Sequence, residues 1–104
     1  MLLVVSRSES LRQVTKAAQL AAHWATESDT LEAGLSLDPS RVLVDLNLEP
    51  AEFSLKAIEL SKQSDLEVVA FMSQHAGRQA ILASLAGADR VISEDQLLDE
   101  LQSE

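Results

Sequence analysis

The sequence predicts one α/β domain: a five-stranded parallel sheet, doubly wound so that helices cover both of its faces. Three observations carry that prediction. Short apolar runs of strand length alternate with stretches of helical periodicity from one end of the chain to the other. The runs are apolar at successive positions, as strands are when both faces of a sheet are covered. Residues that start or stop helices stand in the joints between the two patterns. With 104 residues the chain is one domain by length, residues 1–104, and large enough to bury a core.

The elements follow in order. LLVV, Leu2 to Val5, is the first strand. Ser6-Arg7-Ser8-Glu9 behind it fits an S-x-x-E capping box, with Ser6 as the cap and Glu9 reaching back. Leu11, Val14, Ala18 and Ala21 then recur at helical spacing. HWAT, His23 to Thr26, is a short second strand whose Trp24 covers the sheet. Asp29 caps a second helix carrying Leu31, Leu35 and Leu37, and Asp38-Pro39-Ser40 breaks it, because a residue before proline is pushed out of the helical region.

VLVDL, Val42 to Leu46, is the third strand, and Glu49-Pro50 opens a helix striped by Phe53, Ala57 and Leu60, with Leu55 and Ile58 beside them. EVVAFM, Glu67 to Met72, is the fourth strand. Gly77 precedes a helix carrying Ile81, Leu82 and Leu85, which Gly87 ends as a C-cap. RVIS, Arg90 to Ser93, is the fifth strand, and Ser93-Glu94-Asp95-Gln96 is a second capping box leading into Leu97, Leu98 and Leu101. Right-handed crossovers make this a flavodoxin-like (βα)5 topology.

Composition excludes several functions. Eight basic against seventeen acidic residues give a formal charge of −9, which repels a phosphate backbone, so nucleic acid is not an expected partner. The absence of cysteine removes disulfides, thiolate metal sites and a cysteine nucleophile. No apolar run approaches the roughly 18 residues of a membrane span, and MLLVV lacks the basic leader of a signal peptide; a soluble cytoplasmic protein is expected. Gly34, Gly77 and Gly87 are the only glycines and build no phosphate loop, and no zinc pattern or nucleophile–His–acid set is present. No motif here points to a catalytic, cofactor or metal site. The acidic tail, Glu94 to Glu104, reads as a solvated helix face, with a docking surface for a basic partner as the other reading.

In a doubly wound sheet, ligands bind beyond the carboxyl ends of the strands, near the switch in strand order. Asp45 lies near that end of strand three, Ser6 and Arg7 at the end of strand one, Ser73 at the end of strand four, and Ser93 and Glu94 at the end of strand five. These groups converge on one edge. Ser73, Gln74 and Arg78, near the start of the fourth helix, are candidates for holding an anion. His75 beside them reads as an ordinary loop histidine, and His23 as a strand-edge residue.

ATESDTLEAGLSLDPSRVLVDLN resembles the second strand, second helix and phospho-acceptor strand of response-regulator receiver domains, the domains of bacterial two-component signalling. SLAGADRVIS resembles their turn from fourth helix to fifth strand. Gly-Ala-Asp at 87 to 89 and Asp-Leu-Asn at 45 to 47 match best, and the resemblance runs along nearly the whole chain. It implies that Asp45 stands at the phospho-acceptor, with Asn47 beside it, and Ser73 at the site's hydroxyl. Where that family has an acidic pair that holds Mg²⁺, this chain has Ser6 and Arg7. Where it has lysine, this chain has Glu94, followed by Asp95 in place of a proline. Val91 stands where an aromatic switch residue is common.

Mg²⁺ is usually held through one or two carboxylates plus phosphate oxygens, and phosphoryl transfer depends on neutralising charge. The resemblance therefore implies a degenerate receiver: a non-enzymatic signalling module, independent of Mg²⁺-dependent phosphorylation, that works in trans on another protein. The face of its fourth helix, fifth strand and fifth helix, Arg78 to Gln102, is implied as the surface for a partner or a homodimer. Three alternatives remain: an active single-domain receiver phosphorylated at Asp45; an anti-sigma-antagonist-like regulator, because VLVDLN also resembles that family's central strand; and a small-molecule-binding or catalytic flavodoxin-like domain, which no motif supports. Arg7 is expected either to pair with Asp45 in place of the metal, or to point to solvent while Asp45 accepts backbone hydrogen bonds.

Overall fold

The computed structural model describes residues 1–72 and 77–102. Five strands and five helices alternate: β1 (Leu2–Val5), α1 (Glu9–Ala17), β2 (Ala22–Trp24), α2 (Ser28–Ser36), β3 (Arg41–Asp45), α3 (Ala51–Gln63), β4 (Val68–Met72), α4 (Gly77–Ala86), β5 (Arg90–Ser93) and α5 (Glu94–Gln102). All strands lie parallel in one sheet of order β2-β1-β3-β4-β5. The chain steps outward from β1 to β2, then crosses back over β1 to β3 and continues the other way. That reversal puts the topological switch between β1 and β3. No helix among the described residues is long and apolar enough to cross a membrane.

The period of two along each strand sorts the core into two layers. Leu3, Val5, Val42, Val44, Val68 and Ala70 face α2, α3 and α4, where Leu31, Ala57, Ile58 and Ala83 meet them. Leu2, Val4, Leu43, Val69 and Phe71 face α1 and α5, against Leu11, Leu97 and Leu101. The central strands are thus buried on both sides, which is why they read as unbroken apolar runs. One contact needs glycine: a Cβ on Gly34 would stand 2.3 Å from the Leu3 side chain, so α2 lies against β1 only because none is there.

Several local expectations shift. Ser8, not Ser6, caps α1, its hydroxyl accepting from the Leu11 N–H at 3.2 Å, because Ser6 is still buried at the strand end. Helix α1 buries Leu11 and Thr15, whose hydroxyl donates to the Arg12 carbonyl at 2.9 Å; Ala18 and Ala21 lie past its end and exposed. The cap of α2 is built by Glu27 and Thr30, with Asp29 in the first turn: Thr30 Oγ1 accepts from the Glu27 N–H at 3.2 Å and donates to the Glu27 carbonyl at 2.9 Å. The second strand is Ala22–Trp24 rather than His23–Thr26, and the Arg12 guanidinium sits 4.5 Å from the Trp24 ring centroid, a cation–π stack. On α4, Ile81 and Leu85 are 64% and 79% exposed rather than packed inward.

Gly87 ends α4 as predicted, at φ +116°, with the Ala88 N–H closing on the Ala83 carbonyl at 3.1 Å. Two residues on, Asp89 clamps the amino edge of the sheet. Its Oδ2 accepts from the Val68 N–H at 2.8 Å and from Lys62 Nζ at 3.0 Å, and Lys62 Nζ also donates to the Leu66 carbonyl at 3.0 Å. The Gly-Ala-Asp segment thus joins the end of α3 to the start of β4.

Candidate functional site

The carboxyl ends of β1 and β3 meet at the switch point, with Val5 in register with Val44. Ser6 is the residue after β1, and Asp45 is the last residue of β3, opposite Phe71 of β4. Asp45 is only 9% exposed. Its Oδ2 accepts from Ser6 Oγ at 3.0 Å and its Oδ1 from the Asn47 N–H at 2.9 Å, while its carbonyl accepts from Ser54 Oγ at 2.8 Å. The Ser6 hydroxyl in turn accepts from the Ser8 N–H at 2.9 Å. Ser8 Oγ, besides capping α1, donates to the Glu94 carboxylate at the start of α5. A continuous polar chain thus runs Asp45–Ser6–Ser8–Glu94.

A cavity of about 440 Å³ opens over this chain, lined by Arg7, Ser8, Asp45, Asn47, Glu49 and Glu94 among others. Three carboxylates face one guanidinium. Burial pushes the Asp45 carboxyl above its ordinary range; the bonds from Asn47 and Ser6 pull it down by less, and the charge of Glu94 adds to the rise. No hydrogen bond or ion pair joins Arg7 to Asp45 among the described residues. Arg7 is exposed at the rim, and Asp45 is satisfied instead by a hydroxyl and a backbone N–H. Of the two expectations for Arg7, the structure shows the side chain turned to solvent, with no ion pair to Asp45.

Of the predicted site residues, Ser6, Arg7, Asp45, Asn47 and Glu94 come together at this edge. Ser73, Gln74 and His75 lie outside the described residues. Arg78 stands apart, in a groove between α3 and α4 that it shares with Glu52 and Gln79. Ser93 caps α5, its Oγ accepting from the Gln96 N–H at 3.1 Å. His23 binds the Thr30 carbonyl through Nε2 at 3.1 Å and ties β2 to α2. Ser8 and Ser54 were not singled out by sequence. Ser8 had a signal, as the second serine of a Ser-x-Ser step after a strand; Ser54, buried on a helix beside the apolar stripe, had none.

The residues do not fit a Mg²⁺ ion. Such an ion prefers several oxygen donors in an octahedron, and among the described residues no group of three or more His, Asp or Glu could hold a metal. The position after β1 offers only the Ser6 hydroxyl, already bonded to Asp45 and Ser8, and a guanidinium.

With the fold and the edge defined, comparison with solved structures is direct. The chain matches a response regulator from Thermotoga maritima at TM-score 0.73 and 22% identity, over 99% of this chain and 97% of that one. It matches the receiver domain of NtrX from Brucella abortus at TM-score 0.76 and 21% identity, over 97% and 91%. A third match is the phosphorylated cyanobacterial phytochrome response regulator RcpA, at TM-score 0.74 and 13% identity, over 98% and 88%. No sequence-family profile matches the chain, and no curated protein does. What the chain shares with these structures is the receiver fold, five parallel strands in one sheet with five helices.

Proposed function

We propose that the protein is a signalling module that works by binding another protein, a receiver fold that has lost its phosphorylation chemistry. One observation supports this: the buried carboxylate of Asp45, at the strand end where the fold would accept a phosphoryl group, shares its cavity with Glu49 and Glu94 and is hydrogen-bonded by a hydroxyl and a backbone N–H rather than by a cation. Transfer to Asp45 would bring further negative charge into a cavity lined by Asp45, Glu49 and Glu94 against the single guanidinium of Arg7, which does not bond to Asp45. The protein is then not an enzyme, uses no cofactor, and acts on its partner through surface alone.

The surface from Arg78 to Gln102 suits that role. Ile81 and Leu85, one turn apart on α4, present an exposed apolar pair, and Arg90 pairs with Glu100 across β5 and α5. A signalling protein or a second copy of the chain is the partner proposed for this face.

The test is to incubate the protein with Mg²⁺ and a small phosphodonor, or with beryllofluoride, and follow intact mass and backbone amide shifts, with Asp45→Asn as the control. Neither mass nor spectrum should change. A phosphoryl mass gain, or a shift series, that vanishes in Asp45→Asn would establish the other reading, an active single-domain receiver phosphorylated at Asp45.

A further inference from the structure

We propose that the cavity at the switch point is a proton-responsive catch, in which one proton taken up by Asp45 reverses its hydrogen bond with Ser6 and tightens the hold of Ser8 on the first turn of α5. This rests on Asp45 being an unmodified carboxyl, as proposed above.

The bonding leaves little choice about where a proton goes. Asp45 Oδ1 accepts from the Asn47 N–H, which can only donate, whereas Oδ2 accepts from the Ser6 hydroxyl, which can also accept; a proton on Oδ2 is therefore the one that finds a partner. A hydroxyl has one proton and two lone pairs. Ser6 already spends one lone pair on the Ser8 N–H and its proton on Oδ2. When Oδ2 carries a proton it must donate, and Ser6 must accept with its remaining lone pair. The Ser6 proton then leaves Oδ2 and turns about the Cβ–Oγ bond inside a fully buried position, while Ser6 still accepts from the Ser8 N–H.

The charges favour that proton on Asp45. Among the described residues, the charged groups lining the cavity are Glu94 from α5, Glu49 from the segment after β3, and Arg7 from the segment after β1; β4 contributes Phe71, in register with Asp45. Glu94 is the first residue of α5 and is bonded to the cap of α1. Asp45 is the more deeply buried of the two, so its charge is the costlier to keep and it is the member that neutralises. Its neutralisation removes the repulsion on Glu94 and strengthens the Ser8–Glu94 bond, which fastens α5 to α1. Because α5 belongs to the proposed docking face, acidity would bias the partner surface.

The experiment is a carbon-13 carboxyl titration of the full chain, read together with amide shifts. The Asp45 carboxyl should titrate above the ordinary carboxylate range, and the Ser8 and Gln96 amides should follow its midpoint. Glu94→Gln should lower that midpoint. Ser6→Ala should leave Asp45 titrating and the Gln96 amide following it, while the Ser8 amide, whose acceptor is gone, no longer does. Asp45→Asn should remove the step at both amides. The catch is overturned if Ser8 and Gln96 stay flat while Asp45 titrates, or if the midpoint is unmoved in Glu94→Gln. Failure here leaves the phosphodonor result standing, and a phosphoryl mass gain would sink the earlier reading without altering this titration.

Discussion

Asp89 and Asp45 stand at opposite ends of the same sheet and are held in opposite ways. Asp89, at the amino edge, receives the Val68 N–H and the Lys62 ammonium, and these hold its carboxyl below the usual range, the backbone bond first and the lysine second. Asp45, at the carboxyl edge, is buried without a cation and held above it. The residue type is the same; the counter-charge and the burial differ. One edge is electrostatically settled and ties elements together. The other stores an unneutralised charge, the kind of tension found where a fold does its work rather than where it holds itself up.

The comparison can be broken from either side. The largest effect should come from Asp89→Ala, which leaves the Val68 N–H without its acceptor. We expect a loss of about 1.5 kcal/mol in urea unfolding, little of it from the exposed Lys62 pair. Asp45→Asn should act in the opposite direction, stabilising the protein at neutral pH by about 1 kcal/mol, the ordinary scale of a single substitution. An Asn there can still accept from Asn47 and can donate to Ser6. A loss of stability would show that the charged form of Asp45 is wanted by the fold.

Stability against pH sharpens the contrast. The Asp89 carboxyl is depressed in the folded state, so its contribution is present above the unfolded carboxylate range and is lost as pH falls through its folded value. The Asp45 carboxyl is raised, so the folded state binds its proton more tightly than the unfolded state. The stability from that proton is complete below the unfolded value and is lost as pH rises through the folded one. In unfolding curves taken across this acid range, Asp89→Asn should flatten the acid decline, and Asp45→Asn should remove the loss seen as pH rises.

Glu94→Lys should make Asp45 resemble Asp89. A cation opposite the buried carboxylate should lower its titration midpoint and cancel much of the gain from Asp45→Asn, a coupling of about 1 kcal/mol in a double-mutant cycle. No coupling would mean that Asp45 is screened from position 94. Smallest of all, Arg7→Ala should change stability by less than about 0.5 kcal/mol, since Arg7 is exposed and unbonded to Asp45. A cost well above that in the same unfolding assay would mean that the two pair in solution.

The order of elements was legible because the central strands are buried on both faces and therefore spell continuous apolar runs. The convergence of Ser6, Asp45 and Glu94 was legible for a related reason: a parallel sheet sends every strand end to one edge. What spacing could not supply was local choice. A Ser-x-Ser step fits two caps, and burial of Ser6 decided for Ser8. Apolar residues surround α4 on every side, so nothing in the periodicity told Ile81 and Leu85 that they would face out. Thr15 joined the core by returning its hydroxyl to the Arg12 carbonyl, which no apolar count registers. The direction of the Arg7 side chain is a matter of rotamer and solvation, and the partner that Asp89 finds in Lys62 lies 27 residues away in sequence.

The stack of Arg12 on Trp24 has a practical use. The chain has one tryptophan, so all of its indole emission comes from a single half-buried ring lying under a guanidinium carried by α1. Loss of the fold parts the two and releases the ring into water, moving the emission to longer wavelength. The protein thus carries its own optical gauge on β2, set by the helix that Ser8 caps, and every substitution named above leaves that gauge in place.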